Sequence, residues 1–139
     1  MFTPVSIRSA NSYRNVGLET SVSQASPHHL VGLLFDGLIQ SLNATKGHIQ
    51  SANFEEKGRS VGRAVRILEE GLKAALDMQN GGEIAANLRS VYDFCIFRLT
   101  EANLRNDVGM VDEVIKVIRP IADGWSQIRG DAAVQAPKI

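Results

Sequence analysis

The sequence has little of what most classes of function need: it contains one cysteine, three histidines and no net charge. A single cysteine, Cys95, cannot form an intramolecular disulfide, and it lies in an apolar run where a free cysteine commonly serves as a small core residue. Fifteen basic and fifteen acidic residues cancel, which removes the usual electrostatic reason to expect nucleic acid or an anionic membrane as a partner. We therefore expect any partner to be bound through apolar surface.

Motifs for metal, nucleotide or nucleophilic chemistry are also missing. None of His28, His29 and His48 has a glutamate three residues before it, so the Glu-x-x-His pairs of a di-iron bundle are excluded. No Cys-x-x-Cys, phosphate loop or dinucleotide-binding glycine motif occurs, and Cys95 has no base beside it in sequence. We predict that the chain is not an enzyme and that it has no metal site and no cofactor.

The sequence also lacks a membrane signal. No apolar run approaches the roughly 18 residues of a membrane span, and residues 1–14 lack the apolar core of a secretory signal. A lone cysteine fits a reducing compartment. We therefore expect a cytoplasmic protein without membrane insertion, and its 139 residues favour a single domain.

Apolar residues recur at intervals of three and four in four stretches, which predicts four helices. Ser26 is a good N-cap and Pro27 fits the first helical turn, Asp107 is a cap for the last helix, and the glycine pair 81–82 separates the second helix from the third. The predicted spans are, in chain order, Pro27 to about His48, 54–78, 83–106 and 107–128. Because the connections are short and no β-alternation appears, the predicted fold is all-α, an antiparallel four-helix bundle.

The chain divides into three predicted parts. Residues 1–25 are polar with scattered apolar side chains, and they are expected to form a loosely docked N-terminal arm. Residues 26–128 form the helical bundle. Residues 129–139 have no periodicity and are expected to be a flexible tail.

The third predicted helix has more apolar residues than one core-facing stripe of about 100° needs. A stripe of Ile84, Leu88, Val91 and Cys95 can face the core. Other apolar residues then point in other directions: Tyr92, Phe94, Ile96, Phe97 and Leu99. Two interpretations remain open, since this helix is either buried on several sides or lines a groove for an amphipathic guest helix.

The second predicted helix contains the main concentration of basic residues: Lys57, Arg59, Arg63, Arg66 and Lys73. Acidic residues are interleaved with them at helical spacing, which indicates an ordinary solvated face. No aromatic residue is interleaved for base stacking, so nucleic-acid binding is not expected.

Several segments carry a likeness that goes beyond periodicity. They are residues 25–37 (ASPHHLVGLLFDG), 71–77 (GLKAALD), 81–88 (GGEIAANL), 91–94 (VYDF) and 99–107 (LTEANLRND), followed by Trp125. Taken together and in this order, across about residues 10–128, they resemble the FliS family of flagellar export chaperones.

The resemblance implies a bundle of four long helices preceded by a short N-terminal helical arm. It also implies a function: binding the disordered C-terminal segment of flagellin, preventing its premature polymerisation and assisting its export by the flagellar type III apparatus. The cytoplasmic domain of FlhA at the export gate is the implied receptor. Since some family members bind an anti-sigma factor, a regulatory binding protein that sequesters such a factor is the alternative.

The resemblance assigns a role to Tyr13, which is expected to pack the arm over the apolar site. The apolar excess of the third helix supplies the other candidates for contact with a client. The predicted client-binding residues are Tyr13, Ile84, Leu88, Tyr92, Ile96, Leu99 and Asn103.

Overall fold

The computed structural model describes residues 26–128, which form an antiparallel bundle of four helices. They are α1 (Pro27–Gln50), α2 (Phe54–Arg66), α3 (Gly82–Arg105) and α4 (Val108–Ile128), and α2 continues directly into a π-helical segment, Ile67–Lys73. No β-strand occurs between residues 26 and 128. The predicted all-α bundle is confirmed, whereas the predicted arm and tail lie outside the described residues.

Local capping fixes where several helices begin and end. The Ser26 hydroxyl oxygen accepts a hydrogen bond from the backbone N–H of His29 at 3.1 Å, and Pro27 occupies the first turn, where its missing N–H costs nothing. Asn106 takes a left-handed φ of 53° and ends α3. Asp107 Oδ1 then accepts the backbone N–H three residues later at 3.1 Å and starts α4. These boundaries agree with the predicted ones to within about two residues, as capping signals allow.

The predicted end of the second helix, at about residue 78, is wrong. Helical geometry stops at Lys73, and Asp77 Oδ1 accepts the backbone N–H groups of Gln79 and Asn80 at 3.1 Å each. A short carboxylate side chain that bonds nearby backbone donors offers the chain an alternative to further helix. The connection to α3 is therefore a side-chain-stabilised turn, and the helix is shorter than its apolar pattern indicated.

The π-helical segment widens the buried arc of this second helical stretch. Ile67 and Leu68 are sequence neighbours, and both are fully buried. Gly71 and Leu72 are also buried. A π-turn closes hydrogen bonds over five residues and is rare outside short bulges in α-helices. The apolar period predicted a continuous α-helix here, and that prediction is wrong because a change of one residue per turn leaves little trace in so short a pattern.

The helices follow one another around the bundle, and each neighbouring pair is joined by a polar contact between side chains. These contacts are Arg63 with Ser41 (α2 to α1), Lys46 with Asp112 (α1 to α4), Arg98 with Glu113 (α3 to α4) and Lys73 with Asp93 (π-helical segment to α3). The core between the helices is apolar, with Leu34, Leu38 and Leu42 of α1 fully buried. α1 therefore lies beside α2 and α4, and α3 lies between α4 and the π-helical segment.

A small polar cluster is buried where α1 meets α2. Thr45 is fully buried; its hydroxyl donates to the backbone oxygen of Ser41 at 2.8 Å and lies 2.7 Å from the hydroxyl of Ser60. Arg63 Nη1 donates to the Ser41 hydroxyl at 3.1 Å. Because buried polar groups are costly unless they are hydrogen-bonded, this cluster fixes how the two helices align.

The predicted solvated basic face is wrong at Lys57, which is only 8% exposed. Its Nζ donates to the backbone oxygen of Asn103 at 2.8 Å and to Asn106 Oδ1 at 2.5 Å, and it lies 5.3 Å from the ring centroid of Phe54. The last carbonyl groups of a helix have no partner within the helix and carry partial negative charge. Lys57 therefore binds the C-terminal end of α3.

Candidate docking surface on the third helix

α3 has two apolar faces, and the first packs into the core. Its buried residues are Ala85, Tyr92, Cys95, Leu99 and Ala102, at the three- and four-residue spacing of one helix side. Burial raises the pKa of the Tyr92 hydroxyl and raises that of the Cys95 thiol to about 12, because the charged form of each group would lose its hydration. The prediction that Cys95 is a core residue is confirmed.

The predicted division of α3 between core and groove is wrong in part. Ile84, placed on the core stripe, is 73% exposed because it lies in the first turn of the helix, at the end of the bundle. Tyr92 and Leu99, predicted to point away from the core, are buried within it. Both arrangements satisfy the same helical spacing, so periodicity alone could not choose between them.

The other predicted site residues occupy intermediate positions. Leu88 and Ile96 are partly buried and pack against the edge of the core. Asn103 is also partly buried; its backbone oxygen accepts from Lys57, and its Oδ1 is buried without a hydrogen-bond partner in the described part of the chain. Tyr13 lies outside the described residues. A role for each of these residues in client binding stays a prediction.

The second apolar face of α3 points to solvent. Phe94, Phe97 and Leu104 are 43%, 63% and 80% exposed, and their intervals of three and seven residues place them on one side of the helix. We call these three residues the outer stripe. The sequence pattern indicated that Phe94 and Phe97 leave the core stripe, but it gave them no role, and Leu104 was missed altogether.

Ion pairs border the outer stripe on both sides. Arg98 Nε lies 2.8 Å from Glu113 on α4, and its Nη1 lies 2.9 Å from Glu101. On the opposite side, Lys73 Nζ lies 2.6 Å from Asp93, and this hydrogen bond raises the pKa of the Lys73 ammonium group. The outer stripe is therefore an apolar ridge with ion-paired side chains on both of its sides.

The exposed face of α3 is apolar and is bordered by ion pairs, an arrangement suited to binding. Across residues 26–128, no cluster of three His, Cys, Asp or Glu side chains is placed to hold a metal ion. Within the same range, no helix has the length and apolar character required to cross a membrane. A shallow pocket lies between the start of α1 and the end of α4, where the rings of His28 and Trp125 stack at 4.5 Å.

Comparison with known proteins agrees with this picture. Residues 9–132 match the sequence profile of the family described as "Flagellar protein FliS". The chain belongs to the FliS family. The resemblance predicted from its segments is thereby confirmed.

Similar proteins in the FliS family come from several bacteria. The flagellar secretion chaperone FliS of Salmonella typhimurium (strain LT2) is 40% identical over 135 residues, which cover 97% of this chain and 98% of that protein. FliS of Vibrio cholerae is 40% identical over 120 residues, 86% of this chain and 88% of its own. The flagellar secretion chaperone FliSB of Pseudomonas aeruginosa is 38% identical over 122 residues, 88% of this chain and 96% of its own.

These names decide between enzyme and binding protein. Each describes a flagellar secretion chaperone, and FliS is a family of chaperones and not of enzymes. The prediction that the chain is not an enzyme is confirmed by its family. The geometry of α3 then raises the question of which surface holds the secreted partner.

Proposed function

We propose that this chain binds the C-terminal segment of flagellin in the cytoplasm, prevents its premature polymerisation and assists its delivery to the flagellar type III export apparatus. The relatives are named for flagellar secretion, and flagellin is the client that we assign. The cytoplasmic domain of FlhA is the proposed receptor at the export gate. The alternative client, an anti-sigma factor, is tested as a competitor of flagellin in the same binding assay.

The observation that carries this proposal is that α3 keeps an exposed apolar face in addition to its core face. A contiguous patch of large apolar side chains that stays exposed on a folded protein typically marks an interaction site. A disordered client loses conformational freedom when it binds, at a cost of about 2 to 5 kcal/mol. Buried apolar surface stabilises the complex by about 25 cal/mol per Å², so an exposed apolar ridge is the kind of surface such a client needs.

The N-terminal arm is the proposed regulator of this surface. Tyr13 covers apolar surface with its ring while its hydroxyl stays in water, and an incoming client displaces it. Besides Tyr13, we propose client contacts at the accessible members of the predicted set, which are not part of the outer stripe: Ile84, Leu88, Ile96 and Asn103. Tyr92 and Leu99 act from the core by positioning the helix.

Calorimetry with a synthetic C-terminal flagellin peptide from the same organism tests the proposal. We expect binding at micromolar or lower concentration with a negative heat-capacity change, because apolar surface is buried. A peptide of the same composition in scrambled order is the control. Absence of heat and of any heat-capacity change at micromolar concentrations contradicts the proposed function.

A second measurement tests the arm. Tyr13→Ala is expected to change the affinity for the flagellin peptide and to leave the helical circular dichroism unchanged, whereas Tyr13→Phe keeps the ring and serves as the matched control. Loss of helical signal in Tyr13→Ala would make the tyrosine a core residue and end its proposed role as a displaceable cover.

A further inference from the structure

The turn before α3 contains an asparagine followed directly by a glycine, the order that favours spontaneous loss of the asparagine amide. Asn80 is exposed, and Gly81 has no side chain to hinder attack by its backbone nitrogen. We propose that Asn80 is a modification site, at which the side-chain amide converts to a carboxylate, and that Asp77 controls the rate of this conversion. Asn80 is not among the proposed client contacts, so the site stands apart from the proposed function.

The reaction needs only the two neighbouring residues and water. The backbone nitrogen of Gly81 gives up its proton and attacks Cγ of Asn80. A new C–N bond forms there, the bond from Cγ to the side-chain nitrogen breaks, and that nitrogen takes the proton and leaves as ammonia, which closes a cyclic imide. Water then opens the imide at either carbonyl group, giving aspartate or isoaspartate at position 80. Water enters and ammonia leaves, so no oxidant or reductant is needed.

Asp77 holds both reacting nitrogen atoms away from this path. Its Oδ2 accepts a hydrogen bond from the side-chain nitrogen of Asn80 at 3.2 Å, and its backbone oxygen accepts the N–H of Gly81 at 2.7 Å. Its Oδ1 also accepts the backbone N–H of Asn80 at 3.1 Å. The attacking nitrogen and the leaving nitrogen are thus bound to the same residue, and the turn has to open before they can react.

The charge of Asp77 slows the reaction further. The nitrogen of Gly81 becomes negative when it loses its proton, and the carboxylate that bonds the preceding N–H disfavours a second negative charge nearby. The rate in the folded chain is the rate of the open turn multiplied by the fraction of time that the turn is open. Because a hydrogen bond to a charged group changes such a fraction by about tenfold or more, we expect folding to slow the reaction by at least about tenfold.

The aspartate product cannot restore the turn. A carboxylate oxygen then replaces the nitrogen that donates to Asp77 Oδ2 at 3.2 Å, so two carboxylates face each other without a donor between them. Like charges at this separation repel, and more strongly at low salt. The modification therefore weakens the connection between the π-helical segment and α3, and it does so permanently because the ammonia is lost.

The first test measures the rate at Asn80 in the full-length chain. The chain is incubated at neutral pH in heavy-oxygen water, which labels the product, and peptide mapping by mass spectrometry follows the conversion. The folded chain is expected to react at least about tenfold more slowly than the urea-unfolded chain. Asn43 and Asn87 are internal controls, since both are exposed and neither precedes a glycine, and they should stay unmodified. A folded rate equal to the unfolded rate, or no conversion of Asn80 in the unfolded chain, overturns the proposal.

The second test assigns the protection to Asp77. Asp77→Ala is expected to speed conversion of Asn80 in the folded chain about tenfold. Glu83→Ala is the matched control, because it removes an exposed carboxylate at the same distance in sequence from Asn80 and outside the hydrogen bonds of the turn, and its rate should equal that of the wild type. Circular dichroism checks that each variant is folded. If Asp77→Ala unfolds, Asp77→Ser takes its place, since a serine hydroxyl still accepts backbone N–H groups in a turn, and its rate should lie between those of the folded and unfolded wild type. A wild-type rate in a folded Asp77 variant overturns the proposal.

The third test concerns the product. Asn80→Asp reproduces one product, and Asn80→Ser removes the same amide without adding charge. At low salt, the urea midpoint of Asn80→Asp is expected to be lower than that of Asn80→Ser, and the gap should narrow as salt is raised, because exposed charges are screened. Equal midpoints at low salt overturn the claim that the modification weakens the turn.

Discussion

Lys57 offers the sharpest test of the packing described here, because a basic residue on a predicted solvated face is buried. Lys57→Met keeps the apolar stem and removes the ammonium group. The change leaves the backbone oxygen of Asn103 and Oδ1 of Asn106 without the donor that lies 2.8 and 2.5 Å away. Asn106 is exposed and can bond water instead, so the cost comes from the partly buried end of α3 at Asn103. A buried acceptor without a partner costs about 1 to 3 kcal/mol, and the new methyl group returns part of this through apolar burial. We expect the free energy of unfolding to fall by about 2 kcal/mol.

Urea denaturation followed by circular dichroism measures this change. With a slope of about 1 to 3 kcal/mol per molar urea for a small protein, the midpoint should fall by about 0.7 to 2 M with the slope unchanged. Lys116→Met is the matched control, because Lys116 is exposed, and its effect should stay within about 0.5 kcal/mol. A midpoint for Lys57→Met equal to that of Lys116→Met would refute the reasoning that the ammonium group stabilises the end of α3.

Two further predictions concern the turn before α3 and the buried thiol. Gly81→Ala should destabilise the protein, since a Cβ there would lie 2.5 Å from the backbone oxygen of Asp77 and 2.6 Å from Ala85 Cβ. Gly62 lies in open space, so Gly62→Ala should stabilise the protein by about 0.5 to 1 kcal/mol. Unfolding midpoints that shift in the same direction in both variants would contradict this. Cys95 should not react with a thiol reagent at pH 8 unless the chain unfolds, because burial raises its pKa from 9.0 to about 12. The unfolded chain then releases this proton first, so the free energy of unfolding should fall as pH rises from 9 towards 12, and Cys95→Ala should lack that part of the fall.

The parts of the fold that follow from local chemistry could be predicted from sequence. Two capping signals act within one turn of the chain. One is Ser26 before Pro27, and the other is Asp107 after an asparagine that tolerates left-handed geometry. They gave the helix boundaries there correctly. The end of the second helix depends on Asp77, which bonds two backbone N–H groups. Its apolar neighbour Leu76 fits the helical pattern and therefore predicted that the helix continues.

The features that depend on neighbouring helices were less accessible. Leu88 and Cys95 fit either of two overlapping stripes on α3, one that includes Ile84 and one that includes Tyr92. Only the positions of α2 and α4 decide that the stripe with Tyr92 is the buried one. The burial of Lys57 likewise depends on carbonyl groups supplied by α3, about fifty residues later in the chain. Pattern alone treated that lysine as part of a solvated face because charged residues are mostly exposed.

The hydroxyl groups shared by α1 and α2 have a consequence for how uniquely the bundle is specified. Apolar layers are largely interchangeable, so two helices joined only by leucines could slide by one turn, about 5.4 Å, with little penalty. Sliding would separate Thr45 from Ser60 and leave Arg63 away from the Ser41 hydroxyl, stranding polar groups in an apolar interior. A protein that keeps large apolar side chains exposed is thereby protected against rearranging its own helices to bury them, since only one alignment satisfies the hydroxyls.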